Sequence, residues 1–178
     1  NMTMLYPVGI QSFKEIREGG YLYVDKTALM YHLVSTGKYY FLSRPRRFGK
    51  SLLTSTLEAY FKGEKELFRG LAIESFEKDW TKYPVLHIDF SGVAYKAESD
   101  LQKILNQVLT EWEDKYGITA QSDLPGLRFR QIIDAAYEVT GHKVVVLIDE
   151  YGKPIEDNLT NEELRETYRA CLLYTSDA

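Results

Sequence analysis

The chain has 178 residues, 44% of them apolar and 27% charged, with a formal net charge of -4. That is enough for a domain with a proper core, and the balance excludes a global electrostatic pull toward nucleic acid or an anionic membrane. No apolar run approaches the roughly 20 residues of a membrane span, the lone Cys171 cannot form an internal disulfide, and the first residues lack the basic and apolar regions of a signal peptide, so a cytoplasmic location is expected.

Taken in chain order, Ser12 to Glu15 reads S-F-K-E, a capping box for a short helix ending near Gly19-Gly20. Tyr21 to Val24 reads as extended. Asp25 is placed to cap the next helix, with Leu29, Met30 and Leu33 on one face and Gly37 at its end. KYYFLS, residues 38–43, reads as a short strand. A basic loop follows, then a helix from about Lys50 to Lys62 on which Leu52, Leu53, Leu57, Tyr60 and Phe61 recur at helical spacing. Residues 63–83 mix short helical pieces. VLHIDF, residues 85–90, is a β-rich run.

Ser99 and Gln102 suggest a second capping box. The helix they would start carries Leu101, Ile104, Leu105, Val108, Leu109 and Trp112 on one stripe, with Glu111, Glu113, Asp114 and Lys115 on the solvated face. Pro125-Gly126 reads as a turn. A helix from Leu127 to Thr140 follows, with Ile132, Ile133, Ala136 and Tyr137 inward and Gly141 as its C′ residue. Val144 to Ile148, five consecutive apolar residues, reads as a strand buried on both faces. Strands alternating with helices imply an α/β fold with a parallel sheet.

Two stretches at strand ends carry the chemistry, because ligands of open α/β sheets bind beyond the carboxyl ends of the strands. The first is RPRRFGKSLL, residues 44–53. Gly49-Lys50-Ser51 is the end of a phosphate-binding loop, with Arg44 where the usual pattern has glycine. Such a loop works because successive backbone N–H groups and a helix N-terminus point at one anion. Gly49 permits close approach, Lys50 would reach the β- and γ-phosphates, and the Ser51 hydroxyl would bind Mg²⁺. Arg44 before Pro45 is biased to extended geometry, and Pro45 has no N–H, so the donors must come from Arg46, Arg47, Phe48 and onward to Leu52. The Arg46 and Arg47 guanidinium groups suit phosphate oxygens, although arginines of this kind also pair with acidic neighbours.

The second stretch is Leu147-Ile148-Asp149-Glu150. Asp149 is placed to hold Mg²⁺ as a Walker-B aspartate does, and Glu150 to orient and deprotonate an attacking water. His87 within its strand reads as a packed residue and not a metal ligand, while Asp89 at that strand's end has both a site-facing and a turn-capping reading.

With these residues in view, residues 6–169 resemble the predicted AAA-ATPase family of bacterial proteins. The resemblance rests on GIQSF (9–13), YVDKT (23–27), RPRRFGKS (44–51), YPVLHIDFS (83–91) and LIDEYGKPI (147–155). Arginine at the position of Arg44 is usual there, whereas Gly152 stands where the family usually has aspartate. The resemblance implies a P-loop NTPase: a three-layer sandwich with a mainly parallel sheet that binds ATP with Mg²⁺ and hydrolyses it through a catalytic glutamate. It makes Asp25, Lys26 and Thr27 weaker candidates on the adenine side. It implies a sensor strand following residue 170, and family members often continue into a PD-(D/E)XK nuclease-like domain, so the chain is expected to be an N-terminal fragment of poor stability alone, with residues 1–170 as the ATPase-like part. CLLYTSDA, residues 171–178, resembles a translated sequencing adapter and is expected to be a non-native tail. ATP is the expected partner, with self-association or a protein partner open, and with neither nucleic acid nor membrane bound by this domain. A nucleotide-dependent interaction switch with little turnover is the alternative.

Overall fold

The computed structural model describes residues 5–6, 12–36, 50–89 and 98–149. Among them, those up to 36 together with 50–83 make one compact unit, and 84–89 with 98–149 make another.

The first unit is helical. Helix α1 (Phe13–Glu18) starts as a capping box should, with the Ser12 side chain accepting the Glu15 amide at 3.4 Å. Tyr21 forms an isolated parallel bridge with Leu5 and not a strand. Helix α2 (Thr27–Thr36) is preceded by Asp25, whose Oδ1 accepts the Thr27 amide at 2.9 Å. Asp25 therefore makes a turn two residues ahead of the helix, and the Lys26 carbonyl takes the first helical bond, from Met30 at 3.0 Å.

Helix α3 (Lys50–Phe61) ends within a residue of the expected point. Gly63 closes it at φ +69°, its amide bonding to Tyr60 while the Glu64 amide reaches back to Ala59, the paired bonds of a Schellman motif. Two short 3-10 turns, Lys65–Phe68 and Ala72–Ser75, follow. The unit's core is Phe13, Ile16, Met30, Leu57, Phe68, Ile73 and Trp80. It is knitted by rings: Phe13 and Phe68 have centroids 4.8 Å apart, Phe68 and Trp80 5.2 Å. Aromatic pairs at this spacing add to area burial.

The second unit contains β1 (Val85–Asp89), α4 (Glu98–Lys115), α5 (Pro125–Thr140) and β2 (Val145–Asp149). The strands pair in parallel, with Val85 opposite Val145 and Asp89 opposite Asp149. Leu86 and Ile88 of β1 pack with Leu105, Leu109 and Trp112 of α4 and Phe129, Ile132, Ile133 and Ala136 of α5. Because strand residues alternate faces, Leu86 and Ile88 share the helix-covered face with Val146, and His87 and Leu147 share the other.

Four details differ from the expected pattern. Helix α4 begins at Glu98, so Ser99 lies in its first turn and does not cap it. Pro125 is the first residue of α5 and not a turn residue, which suits a ring with preset φ and no N–H to lose. Tyr137 is 56% exposed: a ring of that size one step round from Ala136 escapes the core. Residues 145–147 are only half-buried, since among the described residues β2 pairs with β1 alone; the strand expected at 38–43 lies outside them.

Candidate functional site

Lys50 and Ser51 are the first two residues of α3. They thus lie in the first turn of a helix, the end that carries free backbone donors and a positive partial charge. Arg46, Arg47, Phe48 and Gly49 lie outside the described residues. Leu52 follows, half-buried, and its carbonyl accepts from the Ser55 hydroxyl at 2.9 Å and from Thr56 at 2.6 Å. Ser55 also accepts the Phe13 amide at 3.0 Å, which ties α3 to the start of α1. Sequence spacing had marked only the leucines and aromatics of α3. The hydroxyls Thr54 and Thr56 are buried as well, a pattern that hydrophobic periodicity passes over.

Tyr23, Asp25 and Thr27 of the YVDKT segment are held inside the first unit. Asp25 accepts the Thr27 hydroxyl at 2.6 Å on one oxygen and the Ala72 amide at 2.7 Å on the other. Thr27, fully buried, accepts the Ile73 amide at 3.2 Å. Burial pushes the Asp25 carboxyl up, but the Thr27 hydroxyl and the Ala72 and Thr27 amides outweigh it, and the net position is below the ordinary carboxylate range. Burial, partly offset by a hydrogen bond with Thr56, raises the Tyr23 phenol. These polar groups are committed to fastening α2 onto residues 72–73, while Lys26 is exposed.

In the second unit Asp149 ends β2, in register with Asp89 at the end of β1. Two aspartates 60 residues apart in the chain thereby hold paired register positions at the carboxyl ends of two parallel strands. Glu150 and Gly152 lie outside the described residues. Lys50 and Ser51 share one helical turn in the first unit, and Asp149 belongs to the second.

A buried charge pair stands outside the residues that spacing marks. Glu113, expected on the solvated face of α4, is buried against Arg128 of α5. Arg128 donates to both carboxylate oxygens, at 3.1 and 2.5 Å, and also to Asn106 at 2.5 Å and Thr110 at 3.2 Å. These acceptors all lie on α4, so the arrangement joins α4 to α5. Glu113 lies one step from Trp112 on the helical wheel, and no helical period can reveal that an arginine 15 residues on will cover it.

Among the described residues no group of three or more His, Cys, Asp and Glu is placed to hold a metal ion, and no helix is long and apolar enough to cross a membrane. Ser51 and Asp149, the expected Mg²⁺ ligands, carry hydroxyl and carboxylate oxygens, the donor type that a small hard cation prefers.

Comparison with known proteins gives the same direction. Over 165 residues, 92% of this chain, it is 46% identical to a protein of Azotobacter chroococcum mcd 1 described as an uncharacterized protein in the vnfD 5′ region. The chain spans 32% of that relative's length. No solved structure matches. A model of the family described as Predicted AAA-ATPase matches residues 7–175, nearly the whole chain, and with the helix that opens at Lys50 and the apolar strand that ends at Asp149 it leads to one conclusion: this chain belongs to the predicted AAA-ATPase family.

Proposed function

We propose that the chain is a P-loop domain that binds ATP with Mg²⁺ and hydrolyses it. The observation that carries this reading is the position of two element boundaries. Helix α3 begins with Lys50-Ser51 and the parallel strand β2 ends with Asp149, the element ends on which the motifs put these residues.

In this reading the amides from Arg46 to Leu52 and the end of α3 cradle the phosphates, Lys50 neutralises the β- and γ-phosphates, and the arginines add phosphate contacts. Ser51 and Asp149 would hold Mg²⁺, which when bound supplies charge neutralisation at the phosphate oxygens. Glu150 orients a water and takes its proton. Positioning and electrostatics account for most of phosphoryl-transfer catalysis, so these few groups suffice. The hydrolysis is read as driving a nuclease-like domain in a longer protein, in keeping with a relative about three times this chain's length.

The test is ATP turnover by wild type, Lys50→Ala and Glu150→Gln. Expected are turnover by wild type, binding without turnover by Glu150→Gln, and no binding by Lys50→Ala. Wild-type binding with turnover no faster than that of Glu150→Gln would make the domain an interaction switch. Absence of ATP binding by wild type would reduce residues 44–51 to a basic surface loop.

A further inference from the structure

A single hydroxyl joins the helix that opens at Lys50 to its neighbour. Phe13 is the first residue of α1 and fully buried, so its amide is one of the donors that a helix start leaves without a partner. That amide bonds to Ser55 Oγ at 3.0 Å. The same oxygen donates its proton to the Leu52 carbonyl at 2.9 Å. Leu52 directly follows Ser51. One side chain thus spans from the N-terminus of α1 to the peptide unit just beyond Gly49-Lys50-Ser51. Thr56 repeats the tie to the Leu52 carbonyl and bonds to Tyr23, so the first turns of α3 are fixed to two other segments of the same unit.

We propose that Ser55 is a positioning residue for the nucleotide: it fixes the attitude of the first turn of α3 by coupling it to α1, and so sets where Lys50 and Ser51 meet the phosphates. This rests on the phosphate-site reading above. Binding energy at such a site depends on donors aimed within a fraction of an ångström, while a free first turn would fray and re-aim them.

The experiment measures affinity for a fluorescent ATP analogue with Mg²⁺, and Tm, in wild type, Ser55→Ala, Ser55→Thr, Tyr60→Phe and Lys50→Ala, at a temperature where all are folded. Tyr60→Phe is the control, since it removes a hydrogen bond to Glu77 near the far end of the same helix. Ser55→Ala is expected to bind about tenfold more weakly, Ser55→Thr to stay within about twofold of wild type, and Tyr60→Phe to lower Tm without losing affinity. Should Ser55→Ala not fold, Ser55→Cys, with a weaker donor of similar size, is expected to show an intermediate loss. Wild-type affinity in Ser55→Ala overturns the proposal. So does an affinity loss in Tyr60→Phe proportional to its Tm loss, because Ser55 would then matter only through stability. If Lys50→Ala binds as wild type does, the phosphate-site reading itself fails and takes this proposal with it.

Discussion

The guanidinium of Arg128 shows how a polar group becomes affordable inside a core. It is 9% exposed, and its donors find Glu113, Asn106 and Thr110. Removing one partner of such a pair strands the other charge away from water, which costs about 3–5 kcal/mol, whereas an apolar replacement of both is close to neutral. Glu113→Ala should therefore lower the urea midpoint far more than the double change Glu113→Leu with Arg128→Met. Equal losses in single and double variants would show that the pair is not acting as a unit. Asp25 illustrates the opposite case, an exposed carboxylate that is nevertheless specifically bonded. Its folded position lies below its ordinary value of 3.8. The sign then follows: the folded state binds this proton less readily than the unfolded one, so Asp25 stabilises above pH 3.8 and loses that contribution as pH falls through the lower folded value. The stability gap between wild type and Asp25→Asn, measured by thermal melts, should be full at pH 6 and shrink below about pH 4. A gap unchanged at pH 3 would refute it.

Elements begin and end here where small local rules say, and the rules can be tested. Gly63 terminates α3 at φ +69°, and a Cβ there would lie 2.7 Å from the Trp80 carbonyl oxygen and 2.8 Å from the Lys82 side chain. Left-handed geometry costs an L-residue about 1–2 kcal/mol and the backbone clash adds a similar amount, so Gly63→Ala should lose about 3 kcal/mol in chemical denaturation. Gly141, at φ +69° with open space around it, should lose only the first part. The two glycines look alike in the sequence: each follows a periodic helix, and their amides bond back to Tyr60 and Tyr137. The crowding at Gly63 comes from Trp80, itself held at φ 48° by Glu77, which accepts the Trp80 and Asp79 amides at 3.1 and 3.0 Å. Burial and then Glu77 raise the Tyr60 phenol, and the Tyr60 hydroxyl in turn helps keep Glu77 below its ordinary value against burial that pushes the other way. Nothing in the spacing of residues 60–80 announces that circuit.

At the scale of the whole molecule, what was legible was what repeats or punctuates. The helices α1, α3, α4 and α5 and both strands follow from apolar period and from Ser12 and Gly141. Of the candidate site residues, Lys50, Ser51 and Leu52 are the first three residues of α3 and Asp149 is the last of β2. What the spacing did not contain is everything that joins distant residues: Ser55 to Phe13, Arg128 to Glu113, Asp25 to Ala72. Such pairs depend on how helices pack, which no short window of sequence records. The register of β1 and β2 is of this kind, and it has a consequence in time. Val85 pairs with Val145, 145 − 85 = 60 residues later. A ribosome adding about 5–20 residues per second reaches the second strand about 3–12 s after the first. Through that interval Leu86 and Ile88 lack their partner strand and gain α4 and α5 only as those helices are made, while the residues of the first unit already exist. The newborn chain therefore carries a sticky, half-made sheet edge for seconds, and it is during synthesis, more than afterwards, that this protein would call on a chaperone.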